Sequence, residues 1–502
     1  MGIVQKQTIT GTIYTYIGVV LGFITTAILF PRILKTDQIG LLNFMVSYAL
    51  IIAQLASLGF INATTRMFTY FRDKKERHHG FLFLALLVTT AGFILAMIVF
   101  FFIRPVLVEK NLEKSPLVSE YVNYLIPLVA FILYFNILDN YYKVLFNAVI
   151  GTFLKELFQR LLILIGIVLF YFSFINFNQF FIVYIICFGL PTLIIILWLI
   201  KEGQFNLKPE LKFLTKDLSG TMAMMSLFGI VSASSGVISL NIDRLLINKI
   251  MDLSSVGVYS TVFYFATLVI LPSRPLLKIS STVIADAWRD NDKNTLNNIY
   301  YKSCLNQLII GLLILTGLWV NVNNIFDHIL PVTFEPGRYV ILLIGISFLF
   351  DMAIGVNTSM IGNSRYYKVG TLYMILWVLL IILTNLLLIP RFGIIGAALA
   401  SVISKLIVDS LAVIFVYIKF RMFPYNYKFL IVLAIGGVAY ALGYILPVMP
   451  HFILDILIRS AIVAGIYIVL ILAFRLSDEM NHNYQKTLQF VRGFLGRHQK
   501  SK

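Results

Sequence analysis

The sequence predicts an all-α polytopic membrane protein, and three observations carry that prediction. Of its 502 residues, 59% are hydrophobic and 13% charged, against a charged share of roughly a quarter in soluble domains. Mean hydropathy is +0.90. Apolar runs of the roughly 20 residues needed to cross a bilayer recur along the whole chain, with connections too short to hold a separate soluble domain.

Reading those runs against charged, Pro or Gly breaks gives about 14 expected spans. The first six cover roughly 8–30, 39–62, 80–103, 118–138, 153–173 and 177–200. The other eight cover roughly 218–242, 254–276, 302–322, 338–361, 369–389, 394–418, 428–446 and 452–474. The first run ends in Pro31-Arg32 rather than in a small-residue cleavage site, so it is expected to stay as a span and not to act as a signal peptide.

The net charge of +17 does not point to nucleic acid, because Lys and Arg gather at span ends and in short loops, where they set orientation. With the N-terminus in the cytoplasm, roughly 29 basic residues fall on the cytoplasmic side and about 10 on the other. The expected topology is therefore N-in and C-in. Its main contributors are Arg66, Arg72, Lys74, Lys75 and Arg77 after the second span, and Lys201, Lys208, Lys212 and Lys216 after the sixth. Cys187 and Cys304 have no CxxC partner and read as packing residues.

The chain also repeats itself. PRILKTDQIGLLNFMVSYAL after the first span is echoed by NKIMDLSSVGVYSTVFYFAT after the seventh, matching Ile39-Gly40 to Val256-Gly257. LDNYYKVLFNAVIGTFLK, with Asp139, is echoed by FDMAIGVNTSMIGNSRYYK, with Asp351. Both echoes have offsets on the order of 210 to 220 residues, the spacing of two six-helix lobes. The expected organisation is a six-helix lobe over 1–216, a second over 217–422, two additional helices over 423–475, and a basic cytoplasmic tail over 476–502. That tail carries Arg492, Arg497, Lys500 and Lys502 and an amphipathic stretch, TLQFVRGFLG, suited to a lipid interface.

These features resemble the polysaccharide-transporter branch of the multidrug/oligosaccharidyl-lipid/polysaccharide exporter superfamily, which includes O-antigen and capsule-unit flippases. The family's Asp-Arg, spacer, Gly-Leu-Tyr pattern is met by Asp243, Arg244, Gly257 and Tyr259. Its aromatic, Gly, Gly-Ala-Ala pattern is met by Phe392, Gly393, Gly396, Ala397 and Ala398, and Leu58-Gly59 through Arg66 gives a third match. The resemblance implies two lobes around a central cavity that alternates between the two sides. It also implies export of a polyprenyl-diphosphate-linked oligosaccharide (an O-antigen, capsule or exopolysaccharide unit) across a bacterial cytoplasmic membrane. The expected partners are that substrate, the bilayer, H⁺ or Na⁺, and other polysaccharide-assembly membrane proteins. No cofactor is implied.

A diphosphate cannot shed its water into hydrocarbon without cationic replacements, and Arg suits it through paired planar donors. The candidates are Arg274, Lys278, Arg66, Arg244, Lys405 and Arg32. Arg274 and Lys278 share one helix face, and Pro272 and Pro275 flank Arg274 where a transporter helix would kink. Arg66 reads equally as an orienting anchor, and Arg32 with Lys35 as side chains snorkelling to an interface. Lys405 lies in a small, apolar stretch, and Asp409 four residues on offers a neutralising partner. Ion coupling needs an acid within the membrane, and Asp243, Asp139, Asp351 and Asp409 are the candidates, each equally readable as a static partner of a base.

Enzyme motifs are not found: there is no P-loop, HExxH, nucleophile elbow or dinucleotide turn. Asp290-Asn-Asp292 has a DxD pattern, and His78-His79 a metal-like look, but both read as solvated loop charge. The alternatives are a multidrug/cation antiporter of the same fold and, from another class, a membrane glycan polymerase or ligase, for which no outer loop is large enough. The first span holds no acidic residue, which departs from cation exporters that use one there.

Overall fold

In a computed structural model the described residues are 3–73, 75–210, 213–482 and 484–486. Lys74, Lys212 and the tail from 487 on, with its TLQFVRGFLG stretch and last basic residues, lie outside them. The described chain is helical, with no strand, as a bilayer requires: helices satisfy every backbone N–H and C=O within the segment. The protein is a multi-pass membrane protein.

Among the described residues, twelve helices are long and apolar enough to span. The difference from the expected stretches lies in two places. Tyr367–Phe420 is one long helix broken at Gly393 (φ 58°), and it covers both stretches placed at 369–389 and 394–418. The stretch at 153–173 is covered by Val149–Thr152, a π segment Phe153–Phe158 and Gln159–Tyr171 in succession. One boundary also moves. Lys216–Ile250 runs beyond its expected end near 242, because Asn248 exchanges hydrogen bonds with Asn111 and Ser115, each at 2.9 Å. Asp243 and Arg244 therefore lie inside a helix and not at its end.

The chain divides into two compact units. The first comprises Met1–Tyr264, Thr333–Val340 and Thr371–Ser404. Its core is aromatic: Phe68 meets Phe81 and Tyr141 edge-on at 5.3 and 5.6 Å, with Phe60, Phe71 and Tyr142 buried around them. Edge-to-face pairs of this kind add to area burial.

Within this unit the two echoed segments touch. A side-chain carbon on Gly40 would meet the Leu253 carbonyl and, at 3.1 Å, the Gly257 nitrogen. One on Gly257 would meet the Thr36 carbonyl and, at 3.0 Å, the Gly40 nitrogen. Thr36 and Ser254 join hydroxyls at 2.5 Å beside them. The contact is reciprocal at a single offset, since Gly257 follows Gly40, and Leu253 follows Thr36, by the same number of residues. Glycine is needed here because backbone meets backbone, so Gly40→Val is expected to cost at least about 1–3 kcal/mol by overpacking. Membrane abundance should fall for Gly40→Val and Gly257→Val alike, and stay at wild type for Gly220→Val, where the space is open.

The second unit comprises Phe265–Val332, Ile341–Gly370 and Lys405–Lys502. Two C-terminal helices, Tyr427–Ile445 and Phe452–Ala473, pack on Lys293–Val320. Gly436 admits Leu312, and the Tyr467 hydroxyl donates to the Ile309 carbonyl at 3.0 Å. A buried Asp455–Arg459 pair at 3.0 Å, joined by Asn324, pins the start of the last helix.

Candidate functional site

The charged groups in the spans fall into separate clusters, each held within one unit. In the first unit Asp243, 3% exposed, accepts three hydrogen bonds. Tyr259 donates at 2.8 Å, Asn385 at 2.8 Å and Ser401 at 3.1 Å. A buried carboxylate is tolerated only when its lone pairs are filled in this way. The Asn385 side-chain oxygen, also buried, has no hydrogen-bond partner.

Arg244 does not bond its neighbour Asp243. Consecutive helical residues point about 100° apart, and Arg244 donates instead to Ser260 at 3.0 Å and the Leu240 carbonyl at 3.1 Å, over the Phe263 ring at 4.9 Å. The adjacent acid and base thus serve different neighbours.

Asp139 pairs with Lys143 at 2.5 Å, one turn on. Its other oxygen is buried without a hydrogen-bond partner against the backbone of Gly151, where any larger residue would displace it. Glu156 and Arg160 form a further pair at 2.7 Å, and Arg160 donates to the Gly18 carbonyl at 2.5 Å. That donation ties the first helix to Gln159–Tyr171, the helix that follows the π segment.

In the second unit the structure adds Asp351 to the Lys405 and Asp409 pair that their spacing predicts. Lys405 lies 2.5 Å from Asp351 and 3.6 Å from Asp409. The partner four residues away is thus the farther of the two, and the nearer belongs to a different helix, Arg338–Ala353. The second Asp409 oxygen is buried without a hydrogen-bond partner.

Arg274 and Lys278 are both exposed and stand one turn apart on Ser273–Arg289, a new helix that starts after a break at Leu271-Pro272. The prolines flanking Arg274 mark that break. Arg66 is exposed on Phe60–Phe71. Arg66, Arg274 and Lys278 form no side-chain hydrogen bond or ion pair with other described residues. Arg32 is exposed at the end of Phe30–Ile33.

Two loop features have local partners. Arg289 beside Asp290, and Thr295 beside Asp292, hold both carboxyls of the DxD pattern below the usual carboxylate range through hydrogen bonds. Asp292 caps the Lys293–Val320 helix by accepting from the Thr295 backbone at 3.0 Å. His79 stacks on Phe213 at 3.9 Å and faces Glu210 at 3.4 Å.

Asn385 and Ser401 carry no charge, so the charge pattern of the sequence does not mark them. A polar amide within the apolar run LIILTNLLLIP was the signal that points to Asn385. Glu156 and Arg160, spaced one turn apart inside an expected span, were legible by the same reasoning applied to ion pairs.

No family model and no curated protein sequence matches the chain. Solved structures match over most of it. The lipid II flippase MurJ, in an inward closed conformation, is similar with a TM-score of 0.75, covering 93% of this chain and 98% of that one at 14% identity. The chain has the fold of that flippase. An inward-facing multidrug resistance MATE family transporter of the MOP superfamily follows, with TM-score 0.61, 12% identity, and 78% and 93% of the two chains covered. The Vibrio cholerae MATE transporter VcmN in the bent form gives TM-score 0.51 at 15% identity, over 82% and 96%. The MurJ-like fold thus extends over nearly the whole chain.

Proposed function

We propose that the protein moves a polyprenyl-diphosphate-linked oligosaccharide, an O-antigen, capsule or exopolysaccharide unit, across a bacterial cytoplasmic membrane by alternating access. The observation that carries this reading is the set of exposed cations, Arg66, Arg274 and Lys278, with no acidic partner among the described residues. An anionic diphosphate needs donors of this kind, and an amphipathic cation would need acids. The fold supports it, since a lipid II flippase shares it across nearly the full length of both chains.

In this reading Arg274 and Lys278 hold the diphosphate, helped by the positive end of their helix. Arg66 and Arg32 are the phosphate-binding candidates of the first unit. Arg244 and Lys405, which keep internal partners, order the spans of their own units. Asp243 is the coupling acid: its carboxylate and the free Asn385 oxygen offer hard oxygens to a proton or a sodium ion. Asp139, Asp351 and Asp409 are held in reserve for that role by their ion pairs or free oxygens. The two-lobe organisation, the N-in and C-in topology, the basic cytoplasmic tail and contacts with other polysaccharide-assembly proteins belong to the same proposal. A second reading, an exporter of amphipathic cations, is favoured by the likeness to MATE transporters; the cation inventory speaks against it.

Deletion in the native host tests the reading. Lipid-linked oligosaccharide should accumulate in the inner leaflet while surface glycan falls, and unchanged levels of both would overturn the proposal. Complementation with Arg274→Ala should leave membrane abundance intact and lower export about tenfold or more, the loss of one charge-assisted phosphate contact.

A further inference from the structure

A cavity of 840 Å³ in the second unit lies among residues 285–297, 363–365 and 419–422, where three helix-connecting segments converge. It is of the size that holds a small ligand or a lipid headgroup, roughly 300–1,000 Å³. Lys293, Arg365, Lys419 and Arg421 line it, and none has a carboxylate partner among the described residues. A fifth cation, Arg289, is already paired to Asp286 at 3.0 Å and Asp290 at 2.9 Å. The remaining acid of that turn, Asp292, is taken up in capping Thr295.

Four unpaired cations around one cavity repel one another over distances that physiological salt, with a screening length of about 8 Å, does not fully cancel. The geometry keeps them there. Arg365 is held over the Tyr366 ring at 4.9 Å, which fixes the plane of its guanidinium. Arg421 ends the Tyr367–Phe420 helix at φ 60°, a left-handed position where glycine is the default residue. One wall is apolar: Trp288 lies 4.7 Å from Phe420 and is fixed by donating to the Met360 carbonyl at 3.1 Å. Asn294 and Asn297 add amide donors.

We propose that this cavity is a second anion site, distinct from the transport residues, that binds a phosphate group carried on an amphiphile or a small soluble compound. A phosphate satisfies the charge, accepts from planar guanidinium forks and from amides, and leaves its organic substituent for the Trp288–Phe420 wall. The source is a phospholipid headgroup of the adjoining leaflet or a soluble phosphate, and both present the same anion. The site does not depend on the flippase reading.

The test uses the full chain in nanodiscs of phosphatidylcholine, with phosphatidylglycerol or inorganic diphosphate titrated in, and thermal unfolding as the readout. Wild type should be stabilised by at least one of the two. Arg365→Ala/Lys419→Ala should shift the half-saturating concentration about tenfold or more, as two lost charge-assisted contacts require. Arg421→Gly removes a cation while relieving the backbone, so it should fold as well as wild type and still bind more weakly. Arg289→Ala should bind as wild type. Response to phosphatidylglycerol alone assigns a lipid headgroup, and response to diphosphate alone assigns a soluble phosphate. The proposal is overturned if neither anion stabilises wild type. It is equally overturned if the double variant and Arg421→Gly bind as wild type, or if Arg289→Ala weakens binding as much as they do.

Discussion

Lys405→Met is expected to lower the thermal unfolding midpoint of the purified protein by several degrees and to reduce its membrane abundance. The ammonium stands between Asp351 and Asp409, and without it two carboxylates face each other inside a span. Breaking a buried pair costs about 3–5 kcal/mol. The lower end applies here, since Asp351 is 30% exposed and can draw in water, whereas Asp409 at 8% cannot. The triple change Lys405→Met/Asp351→Asn/Asp409→Asn removes the repulsion with the cation and should recover most of the midpoint. A single variant that unfolds at the wild-type temperature would show that the ammonium does not hold these helices together.

Asp243 should separate two effects. In Asp243→Ala the donors on Tyr259, Asn385 and Ser401 lose their common acceptor. A buried donor left without an acceptor costs about 1–3 kcal/mol; that falls on the Tyr259 hydroxyl, while the Asn385 amide keeps the Ile381 carbonyl, so abundance should fall. Asp243→Asn keeps an acceptor oxygen at nearly the same place and loses the charge. It should reach the membrane, yet lose ion-gradient-dependent export by about tenfold or more if the carboxylate binds the coupling ion. Export that follows the gradient as in wild type would remove Asp243 from that role and leave it as a packing anchor.

The fold class was legible because bilayer thickness and backbone satisfaction leave few options for a chain this apolar. The break in the long helix was legible too, since Pro390 and Gly393 mark it. Helix ends were less so. Lys216–Ile250 continues past a charged pair because polar residues beyond it find Asn111 and Ser115 on distant segments, which local hydropathy does not register. The site was half legible for the same reason. Charge singled out Asp243, Lys405, Asp351 and Asp409, but spacing assigned Lys405 to Asp409 when Asp351 is nearer. Asn385 and Ser401 are uncharged, and only the fold brings them to Asp243.

The reciprocal packing of Gly40 on Gly257 has the form of an isologous interface, in which the same patch from two copies meets across a two-fold axis. Here both segments are on one polypeptide. Tethering makes their encounter intramolecular, so its occupancy is independent of expression level. It also leaves the residues around the two segments free to differ. Asp139 keeps a lysine on its own helix, while its echo Asp351 reaches one on another. A homodimer would have to make the same choice twice; this chain pairs each acid in its own way.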